Sequence, residues 1–133
     1  MAAEEQLRIL LAEDHPANMK LALKMLQILG YSAEVAANGD EVLELLERHD
    51  FDVVLMDIQM PLMDGMETTR AIQDRFSEAK RPVIIALTAS AMRGDRERFL
   101  EAGMHDYLSK PIDFHQLQQV LDKWKRKMGG HDT

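Results

Sequence analysis

The chain has 133 residues, enough for one domain but not for two ordinary cores. Its 46% hydrophobic and 29% charged residues exclude a disordered chain, and no apolar run approaches the roughly 20 residues of a membrane-spanning helix. The 16 Lys and Arg against 23 Asp and Glu give a formal net charge of -7, which argues against nucleic-acid binding. With no cysteine, disulfides, thiol catalysis and Cys-ligated metals are also excluded.

The opening residues 1–6 lack the charged-then-apolar pattern of a signal peptide and are taken as a short extension of a cytoplasmic protein. A first strand is predicted over Leu7–Ala12, then the acidic pair Glu13 and Asp14, then a helix over Pro16–Leu29 that stops at Gly30. A strand over Ala33–Ala36 leads to a helix over Asp40–Arg48, with Asn38 as its cap and Glu41 as the return partner of a capping box. The third strand, Asp52–Met56, is continuously apolar at Val53-Val54-Leu55-Met56, as a strand covered on both faces should be. A helix over Met66–Phe76, a strand over Val83–Leu87, a helix over Asp95–Ala102 stopped by Gly103, and a short strand around Tyr107 and Leu108 follow. The last helix, Phe114–Lys127, is capped by Asp113 with Gln116 and carries an inward stripe of Phe114, Leu117, Leu121, Trp124 and Met128. The domain spans 7–128 in this reading, and 129–133 are a frayed tail. The 5 histidines show no metal-binding spacing and are read as surface or loop residues.

Strands alternating with helices predict an α/β domain with a parallel sheet covered on both faces. Ligands of such sheets bind outside the carboxyl ends of the strands, where strand order reverses. Glu13 and Asp14 follow the first strand, Asp57 ends the third, Thr88 ends the fourth, and Lys110 follows the fifth. Right-handed crossovers place these strands side by side. Carboxylates gathered this way repel one another unless a cation intervenes, and magnesium accepts one or two carboxylates plus phosphate oxygens. An aspartate is also a competent nucleophile toward phosphorus. A cation, an ammonium and a hydroxyl around one aspartate therefore fit phosphoryl transfer.

On these residues the chain resembles the receiver domains of two-component response regulators. The matching pieces are Leu10-Leu11-Ala12-Glu13-Asp14, Val54 through Gly65 around Asp57, Ala86-Leu87-Thr88-Ala89, and Asp106-Tyr107-Leu108-Ser109-Lys110-Pro111. The resemblance implies a (βα)5 flavodoxin-like doubly wound sheet of order 2-1-3-4-5. It implies Asp57 as phosphoacceptor, and Glu13, Asp14, Asp57 and the Gln59 backbone carbonyl as ligands of Mg2+, for which Mn2+ can substitute. Thr88 and Lys110 are the hydroxyl and the ammonium that meet the phosphoryl group, Thr88 and Tyr107 are the switch pair, and Lys110-Pro111 is a cis peptide. Gln59 and Ser90 are positions expected to tune the phosphate lifetime.

Leu21, Met25 and Ile28 form a second apolar stripe on the first helix, beside the core-facing Met19, Ala22, Leu23, Leu26 and Leu29. This second stripe is expected to dock a helical phosphodonor, a histidine kinase or a histidine-phosphotransfer domain. The motif wording, including Asn18 and Gly103-Met104-His105-Asp106-Tyr107, is similar to receivers of hybrid histidine kinases, although a stand-alone regulator is the other reading. His15 departs from the asparagine or aspartate common at its position. No membrane contact, no effector domain within these residues and a phosphorylation-dependent homodimer complete the expectations. The alternatives are an aspartate-nucleophile phosphatase of the haloacid-dehalogenase type, disfavoured by Gln59 where a second acid belongs, and an interaction module that is never phosphorylated.

Overall fold

Strands rich in Val, Ile and Leu that are apolar at every position can form only inside a sheet buried on both sides. The computed structural model describes residues 7–89 and 95–129 and shows this arrangement. Residues 1–6, residues 90–94, Ser90 among them, and residues 130–133 lie outside the described residues. The elements run β1 (Ile9–Ala12), α1 (Pro16–Ile28), β2 (Ala33–Ala36), α2 (Gly39–Arg48), β3 (Val53–Asp57), α3 (Gly65–Arg75), β4 (Val83–Thr88), α4 (Asp95–Ala102), β5 (Asp106–Ser109) and α5 (Phe114–Gly129). Each predicted strand and helix is present, with β2 and α4 unchanged and the other ends within two residues of the prediction. The sheet is parallel throughout and ordered β2-β1-β3-β4-β5, as the resemblance implied.

The strand period of two splits the core into two layers. Ile9, Leu11, Val53, Leu55, Ile85 and Leu87 point to the face covered by α1 and α5, where they meet Ala22, Leu26, Leu117 and Leu121. Leu10, Ala12, Val54, Met56, Ile84 and Ala86 point to the other face and meet Val42, Leu46, Ile72 and Phe99. Leu55 sits at the centre of the first layer with no exposed surface. Truncating such a residue to alanine costs roughly 2–5 kcal/mol.

The helix ends carry their own chemistry. The Asn38 side chain accepts from the Glu41 amide at 2.9 Å, as predicted. Glu41, however, reaches past its cap and accepts from the Ala37 amide at 2.7 Å, so the return arm binds one residue earlier than a capping box requires. The complete capping box is at α3, where the Asp64 side chain accepts from the Glu67 amide and Glu67 accepts from the Asp64 amide. Asp113 caps α5 by accepting from the Gln116 amide at 3.0 Å. Gly30 and Gly103 have φ of 95° and 109°, the left-handed backbone that ends a helix and favours glycine.

Candidate functional site

The ladder of the sheet extends one residue past β1 and β3. The Glu13 amide donates to the Ala36 carbonyl and the Ile58 amide to the Leu87 carbonyl, each at 3.0 Å. Glu13 and Asp57 are thereby held on the rim formed by the strand ends. Glu13 is 2% exposed and Asp57 3% exposed, whereas Asp14 faces solvent. One carboxylate oxygen from each of the three lies within 4.8 Å of the others.

Lys110 is brought to the same place from β5. Its amide donates to the Thr88 carbonyl at 2.7 Å, and its peptide bond to Pro111 is cis. The Lys110 ammonium lies 2.9 Å from Asp57 Oδ2 and 3.4 Å from Glu13 Oε1. The other Asp57 oxygen, Oδ1, accepts from the Gln59 amide at 3.1 Å. The His15 amide donates to Glu13 Oε2 at 3.2 Å. Gln59 itself is exposed. Thr88 is buried at the end of β4, opposite Ser109 in the register with β5.

The electrostatics are those of a charge cluster pressed together at low dielectric. Burial drives the Glu13 pKa up; the His15 amide and the Lys110 ammonium oppose it, the neighbouring Asp57 adds to it, and the net shift is upward. For Lys110 burial favours the neutral amine, but the hydrogen bond and charge of Asp57, with those of Glu13, outweigh burial and raise its pKa. Three carboxylates and one ammonium leave a net negative pocket. An all-oxygen donor set with two buried members fits a hard divalent cation better than a soft one.

The loop between β3 and α3 folds tightly against Asp57. The Gly65 amide donates to the Ile58 carbonyl at 2.9 Å, and a Cβ on Gly65 would lie 2.5 Å from the Asp57 carbonyl oxygen. Only glycine lets α3 start so close to Asp57 at the end of β3. Met60 and Met66 are buried in this loop region and Met63 packs on the core, consistent with a packing role for the methionines.

Tyr107 is half-buried, its ring 6.2 Å from that of Phe99. The residue before it was not singled out from sequence. Asp106 Oδ2 accepts from the Trp124 indole N–H and the Lys123 ammonium, both at 2.9 Å, while Oδ1 accepts from the Tyr107 amide. Trp124 is therefore not simply a core-facing residue: it is half-buried and ties α5 to β5 through its polar edge. His105 is an exposed loop residue, as expected, and its Nδ1 accepts from the Ile84 amide at 3.0 Å while its ring meets the Trp124 ring edge-on at 5.7 Å. On α1, Leu21 is 48% and Ile28 65% exposed, while Met25 is half-buried against the core. The second stripe is thus two exposed residues and one shared with the interior.

Comparison with known proteins agrees with this geometry. Residues 9–122 match the family model described as the response regulator receiver domain. Histidine protein kinase 1 of Candida albicans is 45% identical over 132 residues, covering 92% of this chain and 5% of that protein. The sensor histidine kinase GacS of Pseudomonas protegens is 43% identical over 119 residues, covering 88% of this chain and 13% of that protein. The chain thus spans a small fraction of the length of these relatives. Among solved structures, the receiver domain of the sensor histidine kinase PA1611 from Pseudomonas aeruginosa, with a magnesium ion coordinated in its active site cleft, is 43% identical. It superposes with a TM-score of 0.80 over 90% of this chain and 97% of that one. The receiver domain of Ssk1, solved with the Saccharomyces cerevisiae histidine phosphotransfer protein Ypd1, gives a TM-score of 0.82 at 30% identity, covering 90% and 89%. Among the described residues no helix is long and apolar enough to cross a membrane.

Proposed function

The chain belongs to the response regulator receiver domain family, and from that premise we propose that it takes a phosphoryl group from a phosphohistidine onto Asp57 and changes conformation in response. The observation that carries this reading is the Asp57 carboxylate itself, held 2.9 Å from the Lys110 ammonium and within 4.8 Å of two further carboxylates. An Asp57 oxygen attacks phosphorus, the bond between phosphorus and the donor imidazole breaks, and the imidazole leaves with the electron pair and takes up a proton. The product is an acyl phosphate, which water later hydrolyses back to the carboxylate and inorganic phosphate.

Each residue then has a part. The Gln59 amide fixes one Asp57 oxygen, so the other faces the incoming phosphorus. Lys110 is already beside Asp57 and moves onto a phosphoryl oxygen as negative charge shifts there. The Thr88 hydroxyl donates to another phosphoryl oxygen. Glu13, Asp14, Asp57 and the Gln59 carbonyl would hold Mg2+, or Mn2+ in its place. When bound, the cation neutralises charge on the transferring group. Thr88 moving toward the phosphoryl group leaves room for Tyr107 to turn inward, which reshapes the face built from α4, β5 and α5. That face holds a groove of ≈ 500 Å³ lined in part by Arg96, Tyr107, Gln116 and Lys123, and a phosphorylation-dependent homodimer would use it.

Leu21 and Ile28, with Met25 beneath them, are proposed to dock the donor, a histidine kinase or histidine-phosphotransfer domain. A place within a hybrid histidine kinase accords with the relatives, and a cytoplasmic position is proposed with it. The test is transfer of labelled phosphate from a phosphorylated histidine-phosphotransfer protein. Label should move to this chain with Mg2+ present, stay on the donor when the metal is chelated, and never reach Asp57→Asn. Label on Asp57→Asn at the wild-type rate would overturn the assignment.

A further inference from the structure

The loop after Asp57 presents a leucine to solvent at a backbone position that least tolerates one. Leu62 has a φ of 70°, in the left-handed region that bulky residues rarely occupy. The Met63 amide donates to the Pro61 carbonyl at 2.7 Å, closing a γ-turn around it. The Leu62 side chain is 85% exposed, whereas Met60 in the same loop is buried and Met63 packs on the core. Glycine or asparagine would suit this backbone better, and a polar group would suit the solvent better. Neither local conformation nor burial in this domain accounts for leucine here. An observed strain of this kind is a reason to look for a functional contact.

What touches it follows from the position of Asp57. That carboxylate is 3% exposed, so a phosphoryl group must be lowered onto it from outside the strand ends. A donor protein that reaches it must rest on the loops around it. The Leu62 loop is one of them: its Gln59 amide grips Asp57, and the Gly65 amide pins its far end to Ile58. It leaves β3 next to the loop that leaves β1, and the latter leads into α1 with its exposed Leu21 and Ile28. A small donor such as acetyl phosphate has no surface to meet a leucine, and a protein does.

Building on the phosphoacceptor reading of Asp57, we propose that Leu62 is a specificity-determining contact for the protein phosphodonor, held outward by the γ-turn to enter an apolar hollow beside the donor's phosphohistidine. The role is docking and not chemistry, so it separates the two classes of donor.

The test compares wild type with Leu62→Asn, which tolerates the left-handed backbone but is polar, and with Leu62→Gly, which removes the side chain and the strain together. Each is phosphorylated by acetyl phosphate with Mg2+, and separately by phosphorylated histidine-phosphotransfer domains, Ypd1 first. Acetyl phosphate rates should stay within about twofold of wild type for both variants, while transfer from the protein donor falls by about tenfold, the equivalent of roughly 1.4 kcal/mol. Unchanged protein-donor rates overturn the proposal. An equal fall with both donors also overturns it, because Leu62 would then act on the site and not on docking. A wild type served by acetyl phosphate but by no protein donor offered leaves Leu62 nothing to select, and the proposal falls. Failure of the wild type with acetyl phosphate would instead overturn the phosphoacceptor reading.

Discussion

Substituting Gly65 by alanine tests how tightly the loop and the Asp57 end of β3 are coupled. The new Cβ would sit 2.5 Å from the Asp57 carbonyl oxygen and 3.0 Å from Ile58 Cα, both backbone atoms that no rotamer change can move away. Reaching even 3.0 Å, the closest approach real Cβ atoms show, takes a shift of at least about 0.5 Å in the end of β3 or the start of α3. Overpacking of this kind costs about 1–3 kcal/mol. The Gly65–Ile58 hydrogen bond and the Thr69 hydroxyl bond to the Gly65 carbonyl lie in the path of the shift, which places the expected loss near the upper end. Misplacement by a full ångström can cost about 100-fold in rate, so half of that predicts roughly a tenfold slower phosphorylation. Gly30→Ala is the control: its φ of 95° costs roughly 1–2 kcal/mol in an alanine, but it lies at the end of α1 and should leave phosphorylation unchanged. Urea unfolding and the initial rate with acetyl phosphate supply both readouts. If Gly65→Ala matches wild type in both, the contact between loop and strand end is not as close as described.

Three further outcomes follow from the charges. Burial raises the Asp106 pKa, but the Trp124 indole, Lys123 and the Tyr107 amide outweigh it and hold it below the usual carboxylate value. A lowered folded pKa contributes stability present above the unfolded value of about 3.9 and lost as pH falls through the folded value. Asp106→Asn should therefore cost roughly 2 kcal/mol at neutral pH and flatten the acid limb of the thermal midpoint against pH. Lys110 has a raised folded pKa, so its contribution is complete below about 10.4 and is lost as pH rises through the folded value. Lys110→Gln should remove that alkaline limb and, without metal, cost roughly 3 kcal/mol at neutral pH by leaving Asp57 and Glu13 uncompensated, as unfolding curves can measure. Mg2+ at about 100 times its dissociation constant should stabilise the wild type by roughly 2.7 kcal/mol, seen as a rise in thermal midpoint. Glu13→Gln should abolish most of that rise.

How much of this could be seen in the sequence depended on the kind of signal. Apolar runs such as Val53-Val54-Leu55-Met56 announce doubly covered strands because burial on both faces leaves no polar position. The convergence of Glu13, Asp57 and Lys110 was visible because strand ends of a parallel sheet come together, and these three side chains do meet. Long-range hydrogen bonds were not visible. Asp106 with Trp124 and His105 with the Ile84 amide link residues 18 and 21 apart, and nothing in local spacing marks them. The Asp64–Glu67 capping box is legible in its three-residue spacing, since an aspartate followed three residues on by a glutamate can satisfy both amides. Glu41 was one residue off because its side chain can reach either of two neighbouring amides. Met25 shows that a helical stripe gives direction but not depth. The left-handed backbone at Leu62 carries no sequence signal, since glycine or asparagine would be the residue expected there.

The account turns on Asp57 carrying phosphate. Wild type and Asp57→Ala should each be incubated with acetyl phosphate and Mg2+ and their intact masses measured before the acyl phosphate hydrolyses. Gain of a single phosphoryl group by the wild type and none by Asp57→Ala is the predicted result. No gain by the wild type, or an equal gain by both, contradicts the account.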